Sequence, residues 1–412
     1  YMFLSTILQG CSVGALEDVV SRALEAVEDP ELRRLFNKVL PSVSEKVYAI
    51  LKRYPYIERL ADEVSRIKRY SIENLESLVK QAMESVERIG GKSYYARTPE
   101  EARKIIGEIV GSGKVVIKGK SMITEEIGLN QYLESLGNEV WETDLGMLIL
   151  QAGGERPSHP VIPALHLSKE KVTRYLRKGA GVDVSEGLSI NDIVKRVRIF
   201  MREKFTKADV GITGANAFAA DTGATVTVEN ESNNRLTSAL PEKHIVVTSI
   251  DKIVPTLEDA IKVAMVQAAF AGLYPPTYIN IIAGPSSTAD IEYERVYGAH
   301  GPREYHVVFI DNHRLEYSKD PLLSDILRCI RCGRCVIECP VYQAIGPTWG
   351  SGAYNGPMGV AWLYITEGLV RAGPLSMLCI HAGNCREVCP LHIDIPNIMQ
   401  RIKAEYIRSL NN

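Results

Sequence analysis

The chain has 412 residues, with 48 Lys or Arg and 50 Asp or Glu, so its formal net charge is −2. This balance excludes a general nucleic-acid-binding protein, because no excess of basic residues is available to neutralise phosphates. The length, together with a 45% hydrophobic content, predicts two or three domains, each with its own core.

The N-terminal stretch, Tyr1 to Cys11, is short and apolar. Its last four residues loosely match a lipoprotein cleavage site, but no basic region precedes them. We interpret the stretch as a helix or arm with a free thiol at Cys11. No later apolar run approaches the roughly 20 residues that cross a bilayer, since Lys262 and Gln267 interrupt the longest one. We therefore expect no transmembrane segment, although peripheral association with a membrane stays open.

Residues 12 to 90 predict helices with one apolar face. Apolar residues recur there with the 3.6-residue period of a helix, at Leu16, Val19, Val20, Ala23 and Leu24. Acidic and basic residues fill the other face, which we interpret as solvated surface, with docking of a partner subunit as the alternative. We place a helical N-terminal region at residues 1–65.

Residues 66–312 predict a domain in which helices alternate with strands. Helix starts are indicated at Thr98-Pro99, Ser189-x-x-Asp192 and Thr256-x-x-Asp259. One further helix is expected from Ser121 to Leu136. Strands are expected at Lys114–Lys118, Glu139–Thr143, Ala208–Thr213, Ala224–Glu229, His244–Ile250, Tyr278–Ala283 and His306–Asp311. This alternation predicts an α/β fold with a mostly parallel sheet.

Seven of the eight cysteines lie in two motifs near the C-terminus. The first is Cys329-Ile-Arg-Cys332-Gly-Arg-Cys335-Val-Ile-Glu-Cys339-Pro340, the spacing of a bacterial ferredoxin. In that pattern three thiolates bind one cluster and the fourth reaches a different one, because two-residue spacers turn three sulfurs toward one centre. We assign one 4Fe-4S cluster to Cys329, Cys332, Cys335 and, from the second motif, Cys389.

The second motif, Cys379-Ile-His381-Ala382-Gly-Asn-Cys385, has alanine where the spacing calls for cysteine. Three thiolates therefore reach the second cluster, from Cys339, Cys379 and Cys385. We expect a 3Fe-4S cluster there, with an incompletely liganded 4Fe-4S cluster as the alternative. His381 could supply an imidazole ligand, but an exposed loop histidine is the favoured interpretation.

Zinc and disulfides are the other uses of clustered cysteines. Structural zinc sites usually take their ligands as two separated pairs, whereas three cysteines here follow one another at three-residue intervals. Disulfide frameworks belong to small secreted domains, and this chain is long. Iron–sulfur clusters are therefore favoured, and the reduced thiols that their assembly needs indicate a cytoplasmic protein.

Several segments upstream of the cysteines carry a resemblance to a known family. They are Lys118-Gly-Lys120-Ser121, Glu142-Thr143-Asp144-Leu-Gly146, Pro157-Ser158-His159-Pro160, Gly211-Ile-Thr213-Gly214-Ala-Asn216, Asp221-Thr222-Gly223 and Asn230-Glu231-Ser-Asn233-Asn-Arg235. Joined to the ferredoxin motifs, these segments resemble lactate utilization protein B. The resemblance implies a LUD domain of the NagB/RpiA/CoA-transferase-like α/β type at residues 66–312. It also implies a mostly helical, two-cluster ferredoxin-like domain at residues 313–412.

The resemblance singles out LUD positions that could contact a cofactor or small molecule. They are Lys118, Lys120, Ser121, Thr124, Glu125, Asn216, Glu231 and Arg235, with Glu126, His159, Thr213, Asp221 and Asn230 beside them. Lysines and hydroxyls where strands meet helices can hold a carboxylate or phosphate, because helix N-termini present unpaired N–H groups. The alternative interpretation is structural: Ser121 and Thr124 cap a helix, Glu231 pairs with Arg235, and His159 orients a loop.

Together these features predict the iron–sulfur subunit of a complex that oxidises L-lactate to pyruvate. The chain would relay electrons between its clusters to other redox subunits, and the sequence does not identify the electron acceptor. One alternative is a LUD domain that binds or converts a small carboxylate or acyl thioester, with Glu125 or Glu231 as base or nucleophile. Two others are substrate binding at the open corner of the second cluster and a scaffold or electron-transfer role in a different redox assembly.

Overall fold

The computed structural model describes residues 13–410, so the predicted N-terminal arm with Cys11 lies outside the described residues. Four helices open the described chain: α1 (Val13–Glu28), α2 (Pro30–Arg53), α3 (Tyr56–Glu73) and α4 (Leu75–Arg88). Asp29 starts α2, because its side chain accepts from two backbone N–H groups of the first turn. These helices confirm the predicted helical region, and the expected boundary at residue 65 falls inside α3.

A six-stranded sheet lies at the centre of the α/β domain, with the strand order β1-β12-β7-β4-β2-β3. Every neighbouring pair in this sheet is parallel, as predicted. Its strands are β1 (Lys92–Ala96), β2 (Val115–Lys118), β3 (Glu139–Glu142), β4 (Val210–Thr213), β7 (Lys243–Ser249) and β12 (Glu304–Ile310).

A second, four-stranded sheet of order β8-β5-β6-β9 was not predicted. It consists of β5 (Ala217–Ala219), β6 (Thr225–Glu229), β8 (Ile253–Val254) and β9 (Tyr278–Ile282). The alternation of helices and strands predicted that β6 and β9 belong to the parallel sheet. In the structure the two strands pair with each other in antiparallel orientation. A small hairpin of β10 (Ser287–Thr288) and β11 (Val296–Tyr297) follows.

Three helices of this domain begin at the predicted caps, Thr98, Ser189 and Thr256, one predicted helix is corrected, and three others were not predicted. They are α5 (Pro99–Val110), α6 (Met122–Glu126), α7 (Leu129–Ser135), α8 (Leu145–Gly153), α9 (Lys169–Gly179), α10 (Ile190–Lys207), α11 (Asn233–Ala239) and α12 (Leu257–Phe270). The single helix expected from Ser121 to Leu136 is wrong. Gly128 adopts a left-handed conformation with φ of 61° and separates α6 from α7, because this conformation cannot continue a helix.

The C-terminal region is mostly helical, as predicted. It contains α13 (Arg314–Tyr317), α14 (Ser324–Leu327), α15 (Arg334–Ile337), α16 (Pro340–Ile345), β13 (Gly350–Ser351), β14 (Tyr354–Asn355), α17 (Gly356–Glu367), α18 (Leu369–Ser376), α19 (Asn384–Glu387) and α20 (Ile395–Leu410). Within residues 13–410, no helix combines the length and apolarity needed to cross a membrane.

The N-terminal helices and the C-terminal region share one hydrophobic core. Helices α1 and α2 contact α16, and α2 also contacts α15. Phe36 of α2 stacks on Tyr342 of α16 with 5.5 Å between ring centroids, and the buried apolar residues of both regions belong to one cluster. The chain itself therefore covers the apolar face of α2.

His244 provides a test of the packing inside the parallel sheet. Its side chain is fully buried and its Nε2 lies 2.8 Å from Thr213 Oγ1. Burial lowers the pKa of His244 to about 3 in the folded protein. The imidazole therefore stays neutral in the folded state at pH values at which the unfolded chain, with a histidine pKa near 6.5, binds a proton. Because the unfolded state binds more protons, native stability should fall below pH 6.5, by about 1.4 kcal/mol per pH unit for this one group.

The check is the melting temperature of the protein and of a His244→Gln variant between pH 7.5 and 4.5. The parent protein should lose more of its melting temperature on acidification than the variant does. Parallel pH profiles would show that His244 contributes nothing to the acid sensitivity.

Candidate metal centres

The seven described cysteines line two small cavities in the C-terminal region. All seven are free thiols. One cavity is lined by the thiols of Cys329, Cys332, Cys335 and Cys389. The other is lined by Cys339, Cys379 and Cys385. The folded chain thus groups the cysteines in the two sets expected from their spacing.

Both motifs form the same kind of loop. Arg331 and Gly333 have φ of 58° and 78°, and His381 and Gly383 have φ of 56° and 88°. A left-handed residue therefore stands on each side of the central position in both loops, and a short helix follows, α15 or α19. The central position is Cys332 in the first loop and Ala382 in the second. Ala382 lines the second cavity and is exposed.

Buried ion pairs lie in and next to the first motif. Arg328, Arg331 and Arg334 are buried, with exposed fractions of 3%, 7% and 3%, and each pairs with a carboxylate, of Asp325, Asp251 and Glu338 respectively. Burial raises the pKa of Cys329, and the neighbouring Arg331 guanidinium opposes that rise. The Arg331 backbone N–H also donates to Cys329 Sγ at 3.4 Å. An N–H donor directed at sulfur suits an iron–sulfur cluster held by four thiolates.

The second cavity is closer to the surface. Burial raises the pKa of Cys339 to about 11 and that of Cys385 to about 12, so both thiols need a metal partner before they ionise at neutral pH. The loop residues Ile380, His381 and Ala382 are exposed and line this cavity. His381 is therefore an exposed loop residue that also lies beside the three thiols. Both interpretations drawn from the sequence remain open for it.

The thiols surround cavities, whereas the ligands of a zinc ion converge on one point. Soft thiolates distributed around a cavity are the donor set of an iron–sulfur cluster.

The two cavities are direct neighbours. Helix α17 contributes Pro357 to the second and Met358 to the first. Cys335 and Cys339, one from each set, are four residues apart, about one helical turn. Two cavities lined by consecutive residues of one helix are neighbours in the fold.

The LUD candidates divide into two groups, the first of which surrounds Lys118. The Lys118 Nζ lies 2.6 Å from Glu142 Oε1, 3.3 Å from Glu125 Oε1 and 2.8 Å from Thr124 Oγ1. Burial raises the pKa of Glu142 to about 7, although Lys118 opposes the rise. Glu142 was not among the predicted site residues. Its place at the end of β3, opposite Lys118 at the end of β2, was a signal, since ligands bind at the carboxyl ends of parallel strands.

The second group lines a polar pocket of about 330 Å³. Lys120, Asn216 and Glu231 are brought together there with Asp144, another residue that was not predicted. Glu231 is an exposed residue, but it lines the pocket, and there its carboxylate accepts from the Leu145 backbone N–H at 3.2 Å. Partial burial, and then the negative charge of Asp144, raise the pKa of Glu231 to about 7. A carboxyl that titrates near neutral pH can act as an acid or a base.

Ser121 and Arg235 lie outside both groups. Ser121 precedes α6, but its side chain makes no capping hydrogen bond, so the capping alternative is wrong for it. The Arg235 guanidinium lies 4.5 Å from the ring centroid of Tyr278, and within the described residues no ion pair joins Arg235 to Glu231. Neither Ser121 nor Arg235 lines the polar pocket.

His159 and Glu126 connect the LUD domain to the first cysteine motif. His159 Nε2 lies 3.2 Å from the Gly333 carbonyl oxygen, and its Nδ1 accepts from two backbone N–H groups of its own loop. Burial lowers the pKa of His159 to about 4, so the ring is neutral and its Nε2–H donates to Gly333. The alternative that His159 orients a loop is thereby supported, and the loop it meets is the first cysteine loop.

A buried chain of ion pairs makes a second connection. Glu126 binds Arg314 at 2.6 Å, Arg314 binds Asp251 at 2.8 Å, and Asp251 binds Arg331 at 2.8 Å. Asp251 was not predicted as a site residue, because its partners lie 63 and 80 residues away in the sequence. This series of ion pairs ends at Arg331, which lies beside Cys329.

Comparison with known proteins gives the same two-part organisation. Residues 79–310 match the LUD domain family, and residues 325–393 match the 4Fe-4S dicluster domain family. Lactate utilization protein B of Bacillus subtilis is 33% identical over 97% of this chain and 77% of its own length. That of Shouchella clausii is 36% identical over 85% of this chain and 72% of its own length. The chain belongs to the lactate utilization protein B family.

Two further comparisons gave matches. The uncharacterized electron transport protein YkgF of Escherichia coli is 32% identical over 94% of this chain and 81% of its own length. A solved DUF162 family protein from Deinococcus radiodurans is 18% identical, with a TM-score of 0.30 over 57% of this chain and 98% of its own. The lactate utilization protein B family, together with the dicluster domain, makes this chain an iron–sulfur protein of electron transfer.

Proposed function

We propose that this protein is the iron–sulfur subunit of a complex that oxidises L-lactate to pyruvate and that it relays electrons between two clusters. The observation that carries the proposal is the contact of neighbouring residues, Pro357 and Met358, with the two cysteine cavities. Clusters bound in these two neighbouring cavities would exchange electrons directly. The names of the family members, lactate utilization protein B, support lactate as the electron source.

The cysteines form two sets of ligands, one for each cluster. Cys329, Cys332, Cys335 and Cys389 would hold a 4Fe-4S cluster, while Cys339, Cys379 and Cys385 would hold a 3Fe-4S or incompletely liganded 4Fe-4S cluster. When bound, each cluster accepts and releases one electron. The Arg331 backbone N–H, which donates to Cys329 Sγ, would stabilise the thiolate form of this ligand of the first cluster. The exposed loop around Ala382 leaves the second cluster within reach of a redox partner.

The test uses the full chain, which is purified without oxygen and then added to an extract of its source organism. Addition of L-lactate should reduce the clusters, observed by freeze-quench EPR, whereas D-lactate should not. A Cys335→Ser variant provides the matched control, because it loses one ligand of the first cluster. Reduction by dithionite but not by L-lactate would refute the lactate complex, and clusters that dithionite cannot reduce would refute the relay.

A second candidate function rests on the polar pocket around Lys120. An ammonium group, the carboxylates of Asp144 and Glu231, and the amide of Asn216 meet there, which suits a small carboxylate or an acyl thioester. A Glu231→Gln variant separates the two functions. It should keep both cluster spectra and lose any conversion of such a ligand, whereas the relay needs no proton chemistry at Glu231.

A further inference from the structure

Two lysines without an ion pair lie next to the first cysteine motif. Lys68 is 3% exposed, and Lys252 is a partly exposed residue whose ammonium group is buried. Lys68 Nζ donates to the backbone carbonyl oxygen of Asp251, and Lys252 Nζ donates to that of Ala215. Among residues 13–410, no carboxylate forms an ion pair with either ammonium group. Both positive charges therefore lack a counter-ion within the described chain.

A buried charge without a counter-ion is costly, because the protein interior replaces water poorly. Burial accordingly lowers the pKa of Lys68 to about 8 and that of Lys252 to about 7. Asp251 precedes Lys252 in the chain, but its carboxylate already binds Arg314 and Arg331. The two lysines are therefore positive charges in excess of the ion pairs.

The negative charge that acts on both lysines comes from the first cysteine motif. A Cys329 thiolate stabilises the ammonium groups of Lys68 and Lys252. Lys68 lies three residues after Ser65 on α3, and the Ser65 hydroxyl donates to the carbonyl oxygen of Leu391 at 3.1 Å, which lines the first cavity. A cubane cluster with four thiolate ligands has a net negative charge. The first cluster would thus supply the counter-charge that the two lysines lack.

A tryptophan beside the same cysteine has an indole N–H without an acceptor. Trp362 is 1% exposed, and its Nε1 has no hydrogen-bond partner among the described residues, whereas Trp349 donates to the Leu375 carbonyl oxygen at 2.9 Å. The Arg331 guanidinium lies 4.2 Å from the centroid of the Trp362 ring. Burial raises the pKa of the Cys329 thiol, and the Trp362 side chain opposes that rise. A thiolate ligand of the cluster is the acceptor that this buried donor lacks.

We propose that Lys68, Lys252 and Trp362 raise the reduction potential of the first cluster. Reduction adds negative charge, and nearby positive charges and hydrogen bonds to sulfur stabilise the reduced state. The inference rests on the proposed 4Fe-4S cluster of the first cavity and does not depend on lactate as the electron source. It adds residues of α3 and of the segment after β7, both outside the ferredoxin-like domain, to the groups that control electron transfer.

The experiment is a redox titration of the full chain with its clusters, purified without oxygen and followed by the EPR signal of reduced 4Fe-4S clusters. The signal of the first cluster is the one that Cys335→Ser removes. Lys68→Met, Lys252→Met and Trp362→Phe should each shift the midpoint potential of this signal to a more negative value. Methionine and phenylalanine keep most of the apolar volume of the side chains that they replace.

Matched controls remove the same chemical groups at other places. Lys262→Met removes an ammonium group that pairs with Glu258 at 2.8 Å. Trp141→Phe removes an indole N–H that donates to Glu139. Both controls should leave the midpoint potential unchanged. Lys252→Arg keeps the positive charge and should keep the parent potential, which a role in packing alone would not produce.

The proposal is overturned if the three variants retain both the first cluster and the parent potential, or if the controls shift the potential as much. Loss of the first cluster from all three variants would also overturn it, since groups that only adjust the potential are not required for cluster binding. If iron content shows the cluster in some of the variants, those variants decide the result. A parent protein without the reduced 4Fe-4S signal would refute the proposed cluster itself, whereas an unchanged potential leaves the relay standing.

Discussion

Replacement of Ala382 by cysteine should raise the iron content from about seven to about eight atoms per chain, because a fourth thiolate completes a 4Fe-4S cluster. The loop is already shaped for this change. The residues on either side of Ala382 have the same left-handed conformations as those around Cys332, so a cysteine there should direct its sulfur into the cavity. The EPR signal of an oxidised 3Fe-4S cluster should disappear, and a second reduced 4Fe-4S signal should replace it.

The matched control is Ala382→Ser, which has nearly the same size but lacks the thiolate. It should keep the iron content and the 3Fe-4S signal of the parent protein. About eight iron atoms in the parent protein itself would contradict the expectation, since another ligand would then complete the cluster. In that case, His381→Ala would lower the iron content if the imidazole is the ligand.

Replacement of Asp251 by asparagine should lower the free energy of unfolding by about 3–5 kcal/mol, the range for a buried ion pair that loses one partner. Asp251 is fully buried and binds both Arg314 and Arg331, and its carbonyl oxygen accepts from Lys68. The variant therefore leaves two buried guanidinium groups without their shared counter-ion. Urea unfolding at pH 7 measures the loss, with Asp183→Asn as an exposed ion-pair control.

The stability that Asp251 provides should depend on pH in a defined direction. Burial alone would raise its pKa, but Arg331 and Arg314 hold the pKa well below the ordinary range. A carboxyl whose pKa is lowered by folding stabilises the protein above its unfolded pKa of about 3.9, and this stabilisation is lost as the pH falls further. The difference between parent and variant should be constant from pH 7 to 5 and shrink below about pH 4. A difference that grows on acidification would contradict this assignment.

The parts of the site that could be predicted from the sequence are those set by local spacing. Cys329, Cys332 and Cys335 form a group because short spacers restrict where their sulfurs can lie, and Cys389 follows from the pairing of two such loops. Asp251 has no local signature, and Glu142 has only its position at the carboxyl end of a predicted strand. Their partners come from other strands and domains, so only the folded chain reveals them.

The fold was predictable to a similar extent. Caps and periodicity located α5, α10 and α12 and five of the six strands of the parallel sheet, because these depend on neighbouring residues. The strand β1 and the helices α8, α9 and α11 were not predicted. The second sheet pairs Glu229 with Tyr278, and nothing in either segment distinguishes a parallel from an antiparallel partner. The sequence does not reveal the break at Gly128, because a single glycine among periodically spaced apolar residues is also tolerated in a continuous helix.

The shared core of the N-terminal helices and the C-terminal region bears on how the protein is made. Phe36 and Tyr342 stack on each other, but the ribosome adds about 300 residues between them, which takes about 15 to 60 seconds at usual rates. Through that interval the part of α2 that packs on α15 and α16 has no native partner. We expect a chaperone to cover it during synthesis, and cluster insertion to follow only once the C-terminal residues have emerged.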